Sequence, residues 1–452
     1  MIDIDRQICA NAWTSDEAMV NHRELCLQYR GRFSASSDAA GAAAFIEKTL
    51  NRYGLTNARR EYFEMTAWTR GGKAVLELVE PHRARFPCIA LPYSPSCNDE
   101  FDVADGGMGH PADLAEIPGG VLGKAVLIDD KNPPAGPHLH RLHKYLNTRH
   151  AGASAFLFVQ NSPGMLSPTG SLAFNHSGPL DQTIPSVGIP SEIAAELREW
   201  ARRGTLRIRL TMDNSLARGR DCNVVADLGN PGTSEDIILV CAHYDGHDIA
   251  QGAVDNASGT VVVLETARLL APLTNQLRAS LRFVLFGSEE MGLIGSHSLA
   301  RAMEHDLHRI RFIFNLDCVG STGRLVMMLQ NCPEWLPFFK THIASLPADV
   351  DINTHFVPFS DHFPFVVRGI PASFMVTPGI GDRGWGHTIA DTFEKVSQET
   401  LMRVSMHTAR LIMRTSRLTP WPQSKKSRED IIALLESRHM RPLMEHEGHW
   451  DF

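Results

Sequence analysis

No stretch of this 452-residue chain approaches the roughly 18 consecutive apolar residues that a membrane-spanning helix requires, so no membrane partner is expected. The opening segment, MIDIDRQICANAWTSDEAMV, has two acids in its first five residues and no apolar core of signal-peptide length, which argues against export by that route. Positive charge is in short supply: 44 Lys and Arg stand against 51 Asp and Glu, a formal net charge of -7. That balance gives no electrostatic reason to expect nucleic acid or an anionic lipid surface. The eight cysteines contain no close pair of the kind seen in zinc ribbons or redox motifs, and a cytoplasmic, reducing compartment fits them. Internal repeats and low-complexity tracts are also lacking.

With 43% hydrophobic and 21% charged residues the composition is that of an ordinary globular protein, and the length implies two domains plus an appendage. Residues 14–52 read as helix, with small and apolar residues at helical spacing until Gly54. From about 81 to 212 the pattern shifts to short strands, turns and prolines, with one helical stretch around HLHRLHKYLNTRHAGA, as expected of an inserted module. After it, near-continuous apolar runs (IILVCAH, LRFVLFG, RFIFNLD, PASFMV) alternate with helical segments, the signature of strands buried on both faces. The expected fold is therefore α/β, a doubly wound and mostly parallel sheet with helices on both faces. A proline- and charge-rich linker begins near Leu418 and leads to a short helix, which packs either on its own domain or on a neighbouring subunit of a homo-oligomer.

Four fragments carry the chemistry. AHYDGHDIAQGAVDNASG supplies His243, Asp245 and Asp255; FGSEEMGLIGS supplies Glu289 and Glu290; FNLDCVG supplies Asp317; GHTIADTFEKV supplies His387. His243, the glutamate pair and Asp317 fall at or just beyond strand ends, where open α/β sheets place their sites. A dinuclear centre needs terminal ligands on each metal and one shared carboxylate, whose two oxygens bridge ions about 3.5–4 Å apart. Asp255, in its Gly-rich loop, suits the bridge, leaving His243, Glu290, Asp317 and His387 as terminal ligands. Asp245, two residues beyond His243, points the same way on an extended strand end and is placed to hold the other ring nitrogen. Adjacent glutamates cannot project identically, so one is free to act as a general base.

Taken in order, NVVADLG, HYD, GAVDNASG, SEEMGLIGS, NLD, FSDHFPF with GIP, and HTIADTFEKV resemble the co-catalytic zinc peptidases that include bacterial leucyl aminopeptidases, plasma glutamate carboxypeptidase and glutamate carboxypeptidase II. Residues 81–212 are similar to the protease-associated domain that many of these insert before the first ligand. The resemblance implies a catalytic domain of residues 1–80 and 213–417, an insert of 81–212, and a tail of 418–452. It implies one zinc on His243, Asp255 and Asp317, and a second on Asp255, Glu290 and His387. Glu289 would be the general base and Asp245 the orienting acid. Peptides are the implied substrates, and the carboxylate-rich shell also suits manganese or cobalt. Two positions differ from the pattern: Gly386 stands where some relatives have a tyrosine before the last histidine, and Phe359 where a polar or basic residue often precedes SDH.

The expectation is thus a zinc exopeptidase, first an aminopeptidase. A carboxypeptidase or dipeptidase on the same scaffold is the near alternative, and a non-catalytic binding protein the distant one. His138, His140, His143 and His150 read as surface histidines on a solvated helix rather than ligands. His247 and Asp248 are assigned to a loop above the metals, touching substrate. His362 reads either as a site residue or as a core histidine. Cys241 and Cys318 are taken as packing, and Trp385 as a candidate pocket wall.

Overall fold

The computed structural model describes residues 2–133, 138–173, 183–229, 235–344, 350–379, 385–422, 425–446, 448–450 and 452. Among them are two eight-stranded sheets. The sheet that carries the site runs, edge to edge, Arg59–Thr69, Ser215–Leu228, Ser280–Phe286, Ile237–His243, Ile310–Leu316, Ala372–Val376, Leu325–Leu329 and Val350–Asn353. Its centre is parallel: Ile237–His243 pairs in that sense with both Ser280–Phe286 and Ile310–Leu316, which in turn pairs with Ala372–Val376. The outer pairings are mixed, and three of the seven are antiparallel.

The sheet is therefore only partly parallel, a correction to the mostly parallel one expected. The apolar runs that led to that expectation are the central strands alone. Arg59–Thr69 and Ser215–Leu228 instead form a long antiparallel ribbon, from Arg59 opposite Val225 to Thr69 opposite Ser215. Many of its residues are partly exposed, so it carries no continuous apolar signal. This ribbon leads the chain out into the second sheet and back.

Why the central strands must be buried on both faces shows in their alternation. Leu239 and Cys241 join one core, while Ile238, Val240 and Ala242 join the other. The second core is closed by the helix Ser258–Leu270, nearly all of it buried. The first core continues into the second sheet, whose central strands Cys97–Asp105, Ala125–Asp129, Ala155–Val159 and Ser186–Ile189 are parallel. It also takes in Ile431, Leu435, Leu443 and Met444, so the tail docks on its own chain.

The helix expected over 14–52 is two helices, Glu17–Gln28 and Ser37–Arg52. Between them Arg32 and Ala35 adopt positive φ of 44° and 58°, and Ser36 caps the second helix by accepting from the Ala39 N–H. All eight cysteines are free thiols. Among the described residues no helix is long and apolar enough to cross a membrane.

Leu239, fully buried in the middle of the central strand, offers a direct check. Leu239→Ala should destabilise the fold by roughly 3 kcal/mol, read as a lowered urea midpoint.

Candidate active site

Because Ser280–Phe286, Ile237–His243 and Ile310–Leu316 are parallel neighbours, their carboxyl ends share one edge of the sheet. His243 is the last residue of its strand, and Asp317 follows the end of the next. The turn after Phe286 brings in Glu289 and Glu290. His243 Nε2 lies 3.4 Å from Asp255 Oδ1 and 3.5 Å from Asp317 Oδ1. His387 Nε2 lies 3.2 Å from Asp255 Oδ2 and 3.2 Å from Glu290 Oε2. Asp255 therefore gives one oxygen to each group.

These spacings fit metal ions. Ligand bonds of about 2.0–2.2 Å at tetrahedral angles place donor atoms about 3.3–3.5 Å apart, and imidazole with carboxylate is a donor set suited to zinc. Two clusters have metal-ligand proximity, His243 with Asp255 and Asp317, and His247 with Glu290 and His387.

The supports of these side chains come from distant parts of the chain. His243 Nδ1 is 3.2 Å from the backbone carbonyl of Asp245 and 3.5 Å from its carboxylate, which leaves Nε2 for the cluster. The Asp245 carboxylate mainly receives the backbone N–H groups of Glu289 and Glu290, at 3.1 and 3.2 Å, and the Ser34 hydroxyl. It thus locks the glutamate turn onto the strand that bears His243. Asp317 accepts from the Ser360 hydroxyl at 2.7 Å. His387 Nδ1 donates to the Thr169 carbonyl at 3.1 Å, and the Thr169 N–H returns a bond to the His387 carbonyl at 2.9 Å.

Two groups that hold the Asp255 loop were not singled out in the sequence. Arg32, wholly buried, donates to the carbonyls of Tyr244, Gln251 and Gly252, which is why the chain breaks its helix there. Gly252, at φ 55°, is needed for this contact: a Cβ would lie 2.7 Å from the guanidinium. Asp391 accepts the N–H groups of Val254 and Asp255 at 2.7 and 3.0 Å, and burial lifts its carboxyl to about 7. A sequence signal for Asp391 existed in the HTIAD fragment; Arg32 had none.

The electrostatics follow from burial. Burial opposes charge on His387, yet Glu290 and Asp255 outweigh it and lift the ring to about 9. Burial pushes the Glu289 carboxyl well above its ordinary range, with His243 opposing. Glu289, His243, Asp255, Glu290, Asp317 and His387 face a cavity of about 410 Å³.

The other candidates separate. His140 stacks on Phe359 with centroids 3.9 Å apart, and both line the cavity; His143 is partly buried. His140 is thus a cavity-wall residue and His143 packs edge-on against Phe359, neither on the solvated surface expected, and neither joins a cluster of potential metal ligands among the described residues. His362 is a core histidine, bonded to the Val357 carbonyl and Asn315. Cys241 is buried and bonds Asn315. Trp385 is not on the cavity wall; Lys395 lies 4.8 Å over its ring. His247 is buried against Glu290 and does not line the cavity, so the expected substrate contact is not seen.

Residues 223–412 match the model of peptidase family M28, and residues 77–197 that of the PA domain. The chain is thus similar to family M28 peptidases over the segment that bears the site, and to PA domains over most of the second sheet. Aminopeptidase YwaD of Bacillus subtilis (strain 168) is 30% identical over 274 residues, 58% of this chain and 56% of that protein. Leupeptin-inactivating enzyme 1 of Streptomyces exfoliatus is 30% identical over 181 residues, 38% and 41% respectively. The matched segments thus span about half the length of these curated relatives. An aminopeptidase from Aneurinibacillus sp. strain AM-1 superposes with a TM-score of 0.69 at 27% identity, over 90% of this chain and 95% of its own. The zinc aminopeptidase BSAP from Bacillus subtilis shares the fold, with TM-score 0.69, 22% identity and coverage of 91% and 95%. The segment that matches the PA domain helps to build the site, since Thr169 braces His387 and His140, Arg141 and Ser171 form cavity wall.

His22 provides a pH test of the Asp255 loop. Its Nε2 bonds the Ala253 carbonyl at 3.0 Å, and burial lowers its pKa from 6.5 to about 4. A depressed histidine pKa means that stability is fully present above about pH 6.5 and is lost as pH falls from 6.5 towards 4, where only the unfolded chain takes up the proton. The loss is about 3 kcal/mol at most. Urea midpoints measured across this window should fall less steeply with acid in His22→Gln than in the unsubstituted protein.

Proposed function

We propose that the chain is a di-zinc exopeptidase, first an aminopeptidase, built as a catalytic domain of residues 1–80 and 213–417, an insert of 81–212 and a tail of 418–452. The observation that carries this reading is Asp255, whose two oxygens serve two ligand groups opening on one cavity. Likeness to the YwaD and Aneurinibacillus aminopeptidases supports the choice of reaction. His243, Asp255 and Asp317 would hold one ion, and Asp255, Glu290 and His387 the other. When bound, such ions polarise the scissile carbonyl and make water a better nucleophile at neutral pH.

The side chains do the rest. Glu289 lies beside the clusters and is raised by burial, as suits a base that takes a proton from the attacking water and passes it to the leaving amine. Asp245 holds Glu289 and Glu290 in register with His243. The PA domain wall narrows access, so peptides with free ends are preferred over folded proteins. One group favours the carboxypeptidase or dipeptidase reading: Arg141, a buried guanidinium on the cavity wall whose Nε donates to the Ser171 carbonyl, and which would suit a substrate carboxylate.

Rates on free peptides and on their N-acetylated and C-amidated forms decide the polarity. An aminopeptidase is blocked by acetylation and tolerates the amide; the opposite pattern would make it a carboxypeptidase. Removal of the metals by exhaustive chelation should abolish turnover, and full activity without them would end the reading. Glu289→Gln should lower the rate by on the order of 10² to 10⁴ while both zinc ions stay bound. Glu290→Gln should instead weaken one of them, as seen by elemental analysis; the reverse pattern would exchange the two roles.

A further inference from the structure

His247 follows His243 by four residues and is only 4% exposed. Its Nε2 lies 2.9 Å from Glu290 Oε2, the same oxygen that is 3.2 Å from His387 Nε2. The rings of His247 and His387 meet edge on, with centroids 4.6 Å apart. Donor atoms of His247, Glu290 and His387 all fall within 4.8 Å of one another. Neither ring nitrogen of His247 has a hydrogen-bond partner, in spite of the short approach to Glu290. The nitrogen is close to the carboxylate but misdirected for donating to it, and a buried imidazole left unsatisfied at both nitrogens calls for an explanation. A cation shared with Glu290 and His387, whose donor atoms lie within 4.8 Å of the imidazole's, would supply one.

The backbone around His247 is fixed. Arg70 pairs with both oxygens of Asp248 at 2.8 and 2.9 Å, and the ring of Phe33 lies 6.4 Å from that of His247. The terminal ligands and Glu289 line the cavity, whereas His247 does not. It therefore approaches from the protein side, where substrate does not reach.

The geometry points to His247 as a further protein ligand of the second metal position, completing Asp255, Glu290 and His387. This rests on the two-metal reading of the site and adds to it. The two positions are then unequal. The second is closed by four protein donors, the pattern of ions that hold a site together, while the first keeps three and a place open for substrate. The second ion is accordingly the tighter one.

The test uses the full-length protein loaded with Zn²⁺, with zinc per chain followed during titration with a chelator. The unsubstituted protein should bind two ions and release them in two phases. X-ray absorption at the zinc edge should count three imidazoles over the two ions rather than two. His247→Ala should weaken one zinc by on the order of 10³-fold, beyond the 10- to 100-fold that follows loss of an outer hydrogen-bonding partner. His247→Gln, whose amide is able to donate to Glu290, should not rescue it. Circular dichroism and urea unfolding establish that the variants are folded, and the imidazole count stands without them. Two zinc ions held at unchanged affinity by His247→Ala, recovery in His247→Gln, or a count of two imidazoles would overturn the assignment while leaving the two-metal reading in place. A protein that binds no zinc would overturn both.

Discussion

Carboxylates crowded at the ends of three parallel strands need positive charge among them. Asp255, Glu290 and Asp317 are each less than 10% exposed, and Asp245 and Asp361 are fully buried. Each would lose most of its hydration with no compensating partner, a cost that burial at this depth makes severe. The protein supplies part of the answer with directed donors: two backbone N–H groups and a hydroxyl for Asp245, a hydroxyl for Asp317, two N–H groups for Asp391. The rest is met by protons or by cations, and burial raises the carboxyls of Glu289 and Asp391 accordingly. Glu290 and Asp255 pull His387 upward, to about 9 against the effect of burial, in keeping with a site that draws positive charge. Protons and metal ions compete for it, since an imidazole must be neutral to act as a ligand.

That demand explains features remote from the chemistry. Arg32 lies in the break between the two N-terminal helices and holds three carbonyls beside the Asp255 loop. The loop can then approach His243 and His387 at once. Asn256 continues the same work on its other side, donating to the Leu316 carbonyl and accepting from the N–H groups of Gly259 and Cys318. Loop and strand ends are thereby a single hydrogen-bonded unit.

The PA domain stands in a closer relation to this unit than a module appended for access alone. It leaves the site sheet through one strand of an antiparallel ribbon and returns through the other, its core is continuous with one face of that sheet, and its Thr169 carbonyl fixes the orientation of His387. Phe359, where relatives of the resembled family often have a polar residue, stacks with His140 from the PA domain. The apolar residue at that position therefore has a partner that the insert provides.

Periodicity and strand-end position were enough to read the central strands and the alternation with helices, because buried parallel strands leave uninterrupted apolar runs, and the motifs beyond them pointed to five of the six residues that the structure brings together in the two clusters. The helix break at 29–36, the antiparallel ribbon and the antiparallel pairing of Leu325–Leu329 with Ala372–Val376 left no such trace. Half-exposed strands mix polar and apolar residues, and a buried arginine reads as a surface one. His247 looked like a loop residue for the same reason: nothing local distinguishes an imidazole turned towards Glu290 from one turned towards solvent. Residue types and their order along the chain set which chemistry was available here. Which nitrogen meets which oxygen, and which side of the site each residue approaches from, depends on contacts between segments that are separated along the chain, and those exist only once the sheet has formed.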